Sequence, residues 1–196
     1  MKRNQNSIFS TRKLVLMAVL TAIQIILARY LSVQINEVLR ISFETVPLAL
    51  AGMWLGPLGG AIVALVSDIL GTIIYGYGVW FPPIALGPMF FAAMCGWGTK
   101  YIFRSSLAEN SDAWKVVALT VVAGLLNAFV IGVLTTTLYQ MIIVGKEGTF
   151  LTLAWLNLLG RLPTKPFVIA ACSVIIAAIN RAVYRPVIGR IVRRAA

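Results

Sequence analysis

Four basic residues, Arg29, Arg40, Arg161 and Lys165, stand where apolar stretches end or in the polar links between them. The planar fork of arginine matches a carboxylate through two parallel hydrogen bonds, so several such residues brought together would recognise an anionic ligand. The competing reading is that each one snorkels to lipid headgroups or pairs with Glu37 or Glu44. Asp68 is the one acidic residue well inside an apolar stretch. A carboxylate there is costly and needs a partner. That partner is either a ligand presenting paired donors, such as an amino-heterocycle, or a backbone amide, hydroxyl or arginine of the chain. Tyr75, Tyr77, Trp80 and Phe81 place four rings within seven residues, beside Gly76 and Gly78. Such a cluster serves as an interfacial belt or as a lid that stacks on a planar ring. Asn127 and Asn157 are further candidates for lining a pocket.

Catalysis finds little support in the same residues. The chain has no histidine, which removes a histidine-based zinc site and a Ser-His-Asp triad. It has no Walker A sequence and no cluster of metal-ligand spacing, and its six acidic residues leave few candidates for acid–base work. We expect no enzyme, no cofactor and no metal. A solute-binding or transporting membrane protein fits the residues better.

The elements that must position these groups are membrane helices. Hydrophobic residues make up 60% of the 196 and charged residues 12%, against about 45–50% and about 25% in globular domains. The mean hydropathy is +0.90. The net charge of +11 lies at the ends of apolar runs, as topology signals do, so nucleic acid is not the expected partner. Cys95 and Cys172 fall inside apolar stretches and are read as small core residues, with a disulfide as the alternative.

A single membrane domain, residues 1–196, is expected, all-α, with helices at about 14–31, 46–55, 61–75, 84–103, 114–144 and 166–184. The basic start, with Lys2, Arg3, Arg12 and Lys13, is read as the cytoplasmic flank of a retained first helix rather than a signal peptide. In that helix Ala18 and Ala22 share one face at small-xxx-small spacing. The link from Arg29 to Glu44 alternates apolar and polar residues and is expected to be extended and partly strand-like. Gly56-Pro57-Leu58-Gly59-Gly60 reads as a tight turn, with Gly52, Gly56 and Gly60 letting the flanking segments pack closely. Residues 149–160 read as amphipathic or interfacial. With six spans, twelve of the 17 Lys and Arg fall on the side of the termini and five on the other, which places both termini in the cytoplasm.

The specific motifs are RISF-x-x-x-P from Arg40, LAG-x-x-x-GP-x-GG from Leu50 and Asp68-Ile-Leu-Gly, together with a WFPP loop and an arginine-containing start to the last helix. Over nearly its whole length the chain resembles the substrate-binding S components of energy-coupling factor (ECF) vitamin transporters, and most of all their folate branch. The resemblance implies an S-component bundle in the plasma membrane that binds a vitamin from outside through loops one, three and five. It also implies no ATPase activity of the chain's own, with a coupling transmembrane subunit and two ABC ATPases as partners. Loop one would then contribute Arg29, Arg40, Phe43 and Glu44 to the substrate site, beside Asp68, the Tyr75–Phe81 cluster, Asn157, Arg161 and Lys165. Ala18 and Ala22 would face the coupling subunit. Folate suits the residues, its pterin for Asp68 and the aromatics and its glutamate for the arginines. Pantothenate and hydroxymethylpyrimidine stay open as ligands, as does a stand-alone transporter that couples protons through Asp68. A membrane scaffold without a ligand is the remaining reading.

Overall fold

The computed structural model describes residues 10–29, 33–34, 40–41, 43–75, 81–102 and 113–183. Helix α1 (Thr11–Arg29) leads into a short antiparallel pair, β1 (Val33–Gln34) and β2 (Arg40–Ile41). Val33 lies opposite Ile41, and Gln34 opposite Arg40. Of the link expected to be extended between the first two helices, these four residues form strands, and residues 30–32, 35–39 and 42 lie outside the described residues. The remaining elements are helical: α2 (Thr45–Tyr75), α3 (Pro82–Trp97), α4 (Ala113–Leu126), α5 (Gly132–Ile142), α6 (Phe150–Arg161) and α7 (Lys165–Val183). A π-turn, Gly98–Ile102, extends α3, and a second, Asn127–Ile131, joins α4 to α5.

α2 is a hairpin. Gly56 takes φ 84° and ψ 176°, a conformation that a β-carbon opposes. Pro57 follows as the first residue of the second arm, where its missing N–H costs nothing. Residues eight apart in a straight helix are separated by about 12 Å. Here a β-carbon added to Gly60 would lie 2.7 Å from the α-carbon of Gly52, so the arms 45–55 and 57–75 fold onto one another. α3 closes on the same spot: a β-carbon on Gly96 would lie 2.6 Å from the nitrogen of Pro57, and one on Gly52 would overlap the carbonyl of Ala92. Lipid gives helices no hydrophobic reason to associate, so close backbone approach through small residues supplies the contact instead.

The core follows from this triple contact. Leu48, Val63, Ala64, Phe91, Ala92 and Cys95 are buried around it, with Met17 and Leu20 of α1, Val116 and Ala123 of α4 and Ile176 of α7. Trp54 in the first arm of α2 donates its indole N–H to Asn180 Oδ1 of α7 at 2.8 Å, fully inside. Both cysteines are buried and free, so they fill space rather than bridge. The exterior is as apolar as the interior: Ile73, Leu151 and Phe167 are each more than 70% exposed. Among the described residues, four helical stretches, Thr11–Ala28, Thr45–Ile74, Ala113–Ile142 and Lys165–Val183, are long and apolar enough to cross a membrane. The second of these is the hairpin.

Candidate functional site

Five of the eleven buried polar side chains among the described residues, Thr135, Thr137, Gln140, Asn157 and Arg161, lie on α5 and α6. A π-turn interrupts the regular ladder: the N–H of Gly132 reaches back five residues to the carbonyl of Asn127. Carbonyls at such a break need other donors, and π-turns inside helices occur often at functional sites. Arg161, the last residue of α6, supplies one donor, giving Nη1 to the carbonyl of Ala128 at 2.9 Å. Its Nη2 donates to Thr136 Oγ1 at 2.6 Å. The guanidinium fits against Gly132, where a β-carbon would overlap Nη1. Both hydrogen-bond partners are uncharged. α6 is 12 residues long, about 18 Å, and falls outside the four stretches long and apolar enough to cross a membrane. Burial at its end holds the Arg161 guanidinium below its ordinary pKa, because a desolvated cation is disfavoured.

One turn earlier on α6, Asn157 is 2% exposed. Its Nδ2 donates to Gln140 Oε1 at 2.8 Å and to Thr137 Oγ1 at 3.1 Å. The Thr137 hydroxyl in turn donates to the carbonyl of Val133 at 2.8 Å. α5 ends just past Gln140. Gly145, at φ 66°, lets the N–H of Lys146 return to the Gln140 carbonyl at 3.0 Å, which stops the helix and fixes the glutamine beside Asn157.

Two polar atoms at the π-turn remain without a partner among the described residues, the acceptor Asn127 Oδ1 and the donor Arg161 Nε. Gly87 of α3 sits against the first, where a β-carbon would come within 3.3 Å of Oδ1. Unsatisfied groups of this kind cost several kcal/mol in a bilayer, so these two buried atoms are the weak point of the polar packing around the π-turn.

Phe81 stands at the rim of the same region. It precedes α3 in an extended conformation, with Pro82 and Pro83 starting the helix after it. Its ring meets the ring of Tyr139 edge-on, with centroids 5.9 Å apart. Phe81, Asn157 and Arg161 are therefore gathered on one element, α5. A second grouping forms where α2 and α7 begin. The thiol of Cys172 meets the Thr45 hydroxyl there, within electrostatic range of both Glu44 and Lys165. Phe43 is partly exposed beside it and caps the turn, its carbonyl accepting from the N–H of Val46 at 3.0 Å. Only three residues separate Arg161 from Lys165, so the two groupings are joined by the α6–α7 turn.

Asp68 lies half-buried in the second arm of α2, and its backbone carbonyl accepts from Thr72 Oγ1 at 2.9 Å. Arg29 ends α1, Arg40 opens β2 and Tyr75 ends α2. The side chains of these three, and Tyr77 and Trp80 entirely, lie outside the described residues. Ala18 and Ala22 are exposed on α1, on a face shared with Val15, Val19 and Ile26. Thr136, Thr137, Tyr139 and Gln140 were missed from sequence. Their signal was there: polar side chains recurring inside a 30-residue apolar helix need a reason to be there.

A family model for the substrate-specific component of ECF transporters matches residues 12–182. The chain is similar to the folate transporter FolT of Clostridium novyi, at 29% identity over 134 residues, 68% of this chain and 76% of that one. It is also similar to the folate transporter FolT of Leuconostoc mesenteroides, at 39% identity over 71 residues, 36% of this chain and 37% of that one. A crystal structure of FolT bound with folic acid shares the fold, with a TM-score of 0.68 and 22% identity, covering 89% of this chain and 95% of that one.

Proposed function

Because the chain belongs to the substrate-specific components of ECF transporters, we propose that it is the high-affinity binding subunit for folate or a related pterin in the plasma membrane. The observation that carries the ligand reading is the polar grouping around Arg161 within a FolT-like fold. Arg161 Nε and Asn127 Oδ1, buried without a partner among the described residues, suit the carboxylate and amide of a glutamate-bearing vitamin that reaches them. Phe81 and Tyr139 offer ring faces at the rim, and Lys165 and Glu44 flank the approach. Asp68 is the acceptor for the paired N–H donors of the pterin, with Arg29, Arg40, Phe43, Tyr75, Tyr77, Trp80 and Asn157 completing the site.

The proposed topology has six passes in one membrane domain. The two arms of α2 count as two, α4 and α5 together as one, and α6 lies at the interface. Both termini and the turn at Gly56 face the cytoplasm, and the site faces outward. Energy comes from elsewhere: a coupling transmembrane subunit docks on α1 at Ala18 and Ala22, and two ABC ATPases hydrolyse ATP.

The test is folate binding by the purified chain alone, without ATP, measured by calorimetry and by thermal shift, since a ligand stabilises the state it binds. Tight binding that weakens in Arg161→Ala and Asp68→Ala supports the reading. Binding unchanged in both variants refutes the site. A screen of water-soluble vitamins in which another compound shifts the melting temperature and folate does not refutes the ligand.

A further inference from the structure

At the far end of the same fold, α4 and α7 form a V. They are locked together at Gly124 and Ile169, where a β-carbon on the glycine would come within 2.9 Å of Ile169 Cγ2. Eleven residues earlier on α4 and thirteen later on α7, they part around an open groove of about 660 Å³. That volume falls within the range of about 300–1,000 Å³ usual for ligand sites. Ala113, Val117, Val174, Ala178 and Ala182 line it, and the one charged wall residue among the described residues is Arg181, exposed in the last turn of α7. The small side chains explain the gap, because alanine leaves unfilled the space that larger residues would interdigitate across.

The depth of the groove in the membrane is readable from its neighbours. Trp114, next to Ala113, is 67% exposed, and Lys115 holds its ammonium 5.8 Å from the indole centroid. Exposed tryptophan and snorkelling lysine mark the headgroup level. The groove therefore starts at the interface, beside Arg181, and runs into the hydrocarbon toward Gly124. An apolar slot with a cation at its headgroup end has the polarity of a phospholipid. A basic pocket between membrane helices is also a known way to select an anionic headgroup.

We propose that the α4–α7 groove is a binding site for one anionic phospholipid, its phosphate on Arg181 and an acyl chain between Val117 and Val174. The site is separate from the Arg161 grouping and does not depend on which ligand that grouping binds.

Native mass spectrometry of the full chain in detergent tests it, with phosphatidylglycerol and phosphatidylcholine of identical acyl chains as probes. The unaltered chain retains phosphatidylglycerol in preference. Arg181→Gln reduces that preference about fivefold, the factor one interfacial arginine contributes toward an anionic lipid. Ala178→Trp, which fills the groove, reduces retention of both lipids while the protein stays monodisperse. Equal retention of the two lipids by the unaltered chain overturns the proposal, as does a preference untouched by Arg181→Gln. A photo-crosslinker at Ala178 that captures a polypeptide instead of lipid in native membranes overturns it too.

Discussion

Between α2 and α3 the chain packs backbone on backbone through Gly52, Gly60 and Gly96, whereas between α5 and α6 it packs polar side chains against a broken helix. Each solution suits its task. Close apolar contact has one good geometry and nothing left to satisfy, so it fixes shape. A polar contact in lipid can be satisfied in more than one way, and the α5–α6 region leaves a donor and an acceptor uncommitted.

Substitutions can break that division. The largest effect is expected at Gly60→Leu, which drives a side chain into the Gly52 backbone. The cost exceeds the ~1–3 kcal/mol of ordinary overpacking, and size-exclusion chromatography in detergent should show little monodisperse protein. Arg161→Ala should leave a folded chain and cut folate affinity by about 2–5 kcal/mol, the range for losing one member of a buried charged contact, read by calorimetry. Arg161→Lys should recover only part, since an ammonium cannot reproduce the fork that spans Ala128 and Thr136. Asn157→Ala should cost about 1–2 kcal/mol in thermal unfolding, two interhelical hydrogen bonds of the size found in membranes. Trp54→Phe should cost about 0.6 kcal/mol, one such bond. Ala22→Leu should change the stability of the lone chain by less than about 0.5 kcal/mol, because the position is exposed. Its effect should appear in copurification with the coupling subunit. If Gly60→Leu folds normally, or Asn157→Ala is as damaging as Gly60→Leu, the contrast between scaffold and site fails.

How much of this was legible depended on whether the cause was local. Gly56-Pro57 announces the hairpin because backbone conformation is written into those two residues, and Phe81-Pro82-Pro83 announces the start of α3 for the same reason. The alternating link before Glu44 likewise led to the β1–β2 pair. The π-turn was not legible: Asn-Ala-Phe-Val-Ile carries no residue that demands an extra residue in the turn, and the donor to its Ala128 carbonyl, Arg161, lies thirty-three residues away. Asn157 and Arg161 were singled out from their types alone, while the threonines and Gln140 that hold them were not. A side chain's chemistry shows in sequence. Its partner, on the neighbouring helix, does not.

The Trp54–Asn180 hydrogen bond joins residues 126 positions apart. A ribosome needs roughly 6–25 s to cover that distance at about 5–20 residues per second. The glycine contacts of α2 and α3 need nothing beyond residue 96, so the hairpin takes shape first, with its indole N–H waiting in the bilayer. The chain thus carries a clasp that only α7 can fasten, and the order of synthesis is built into the finished fold.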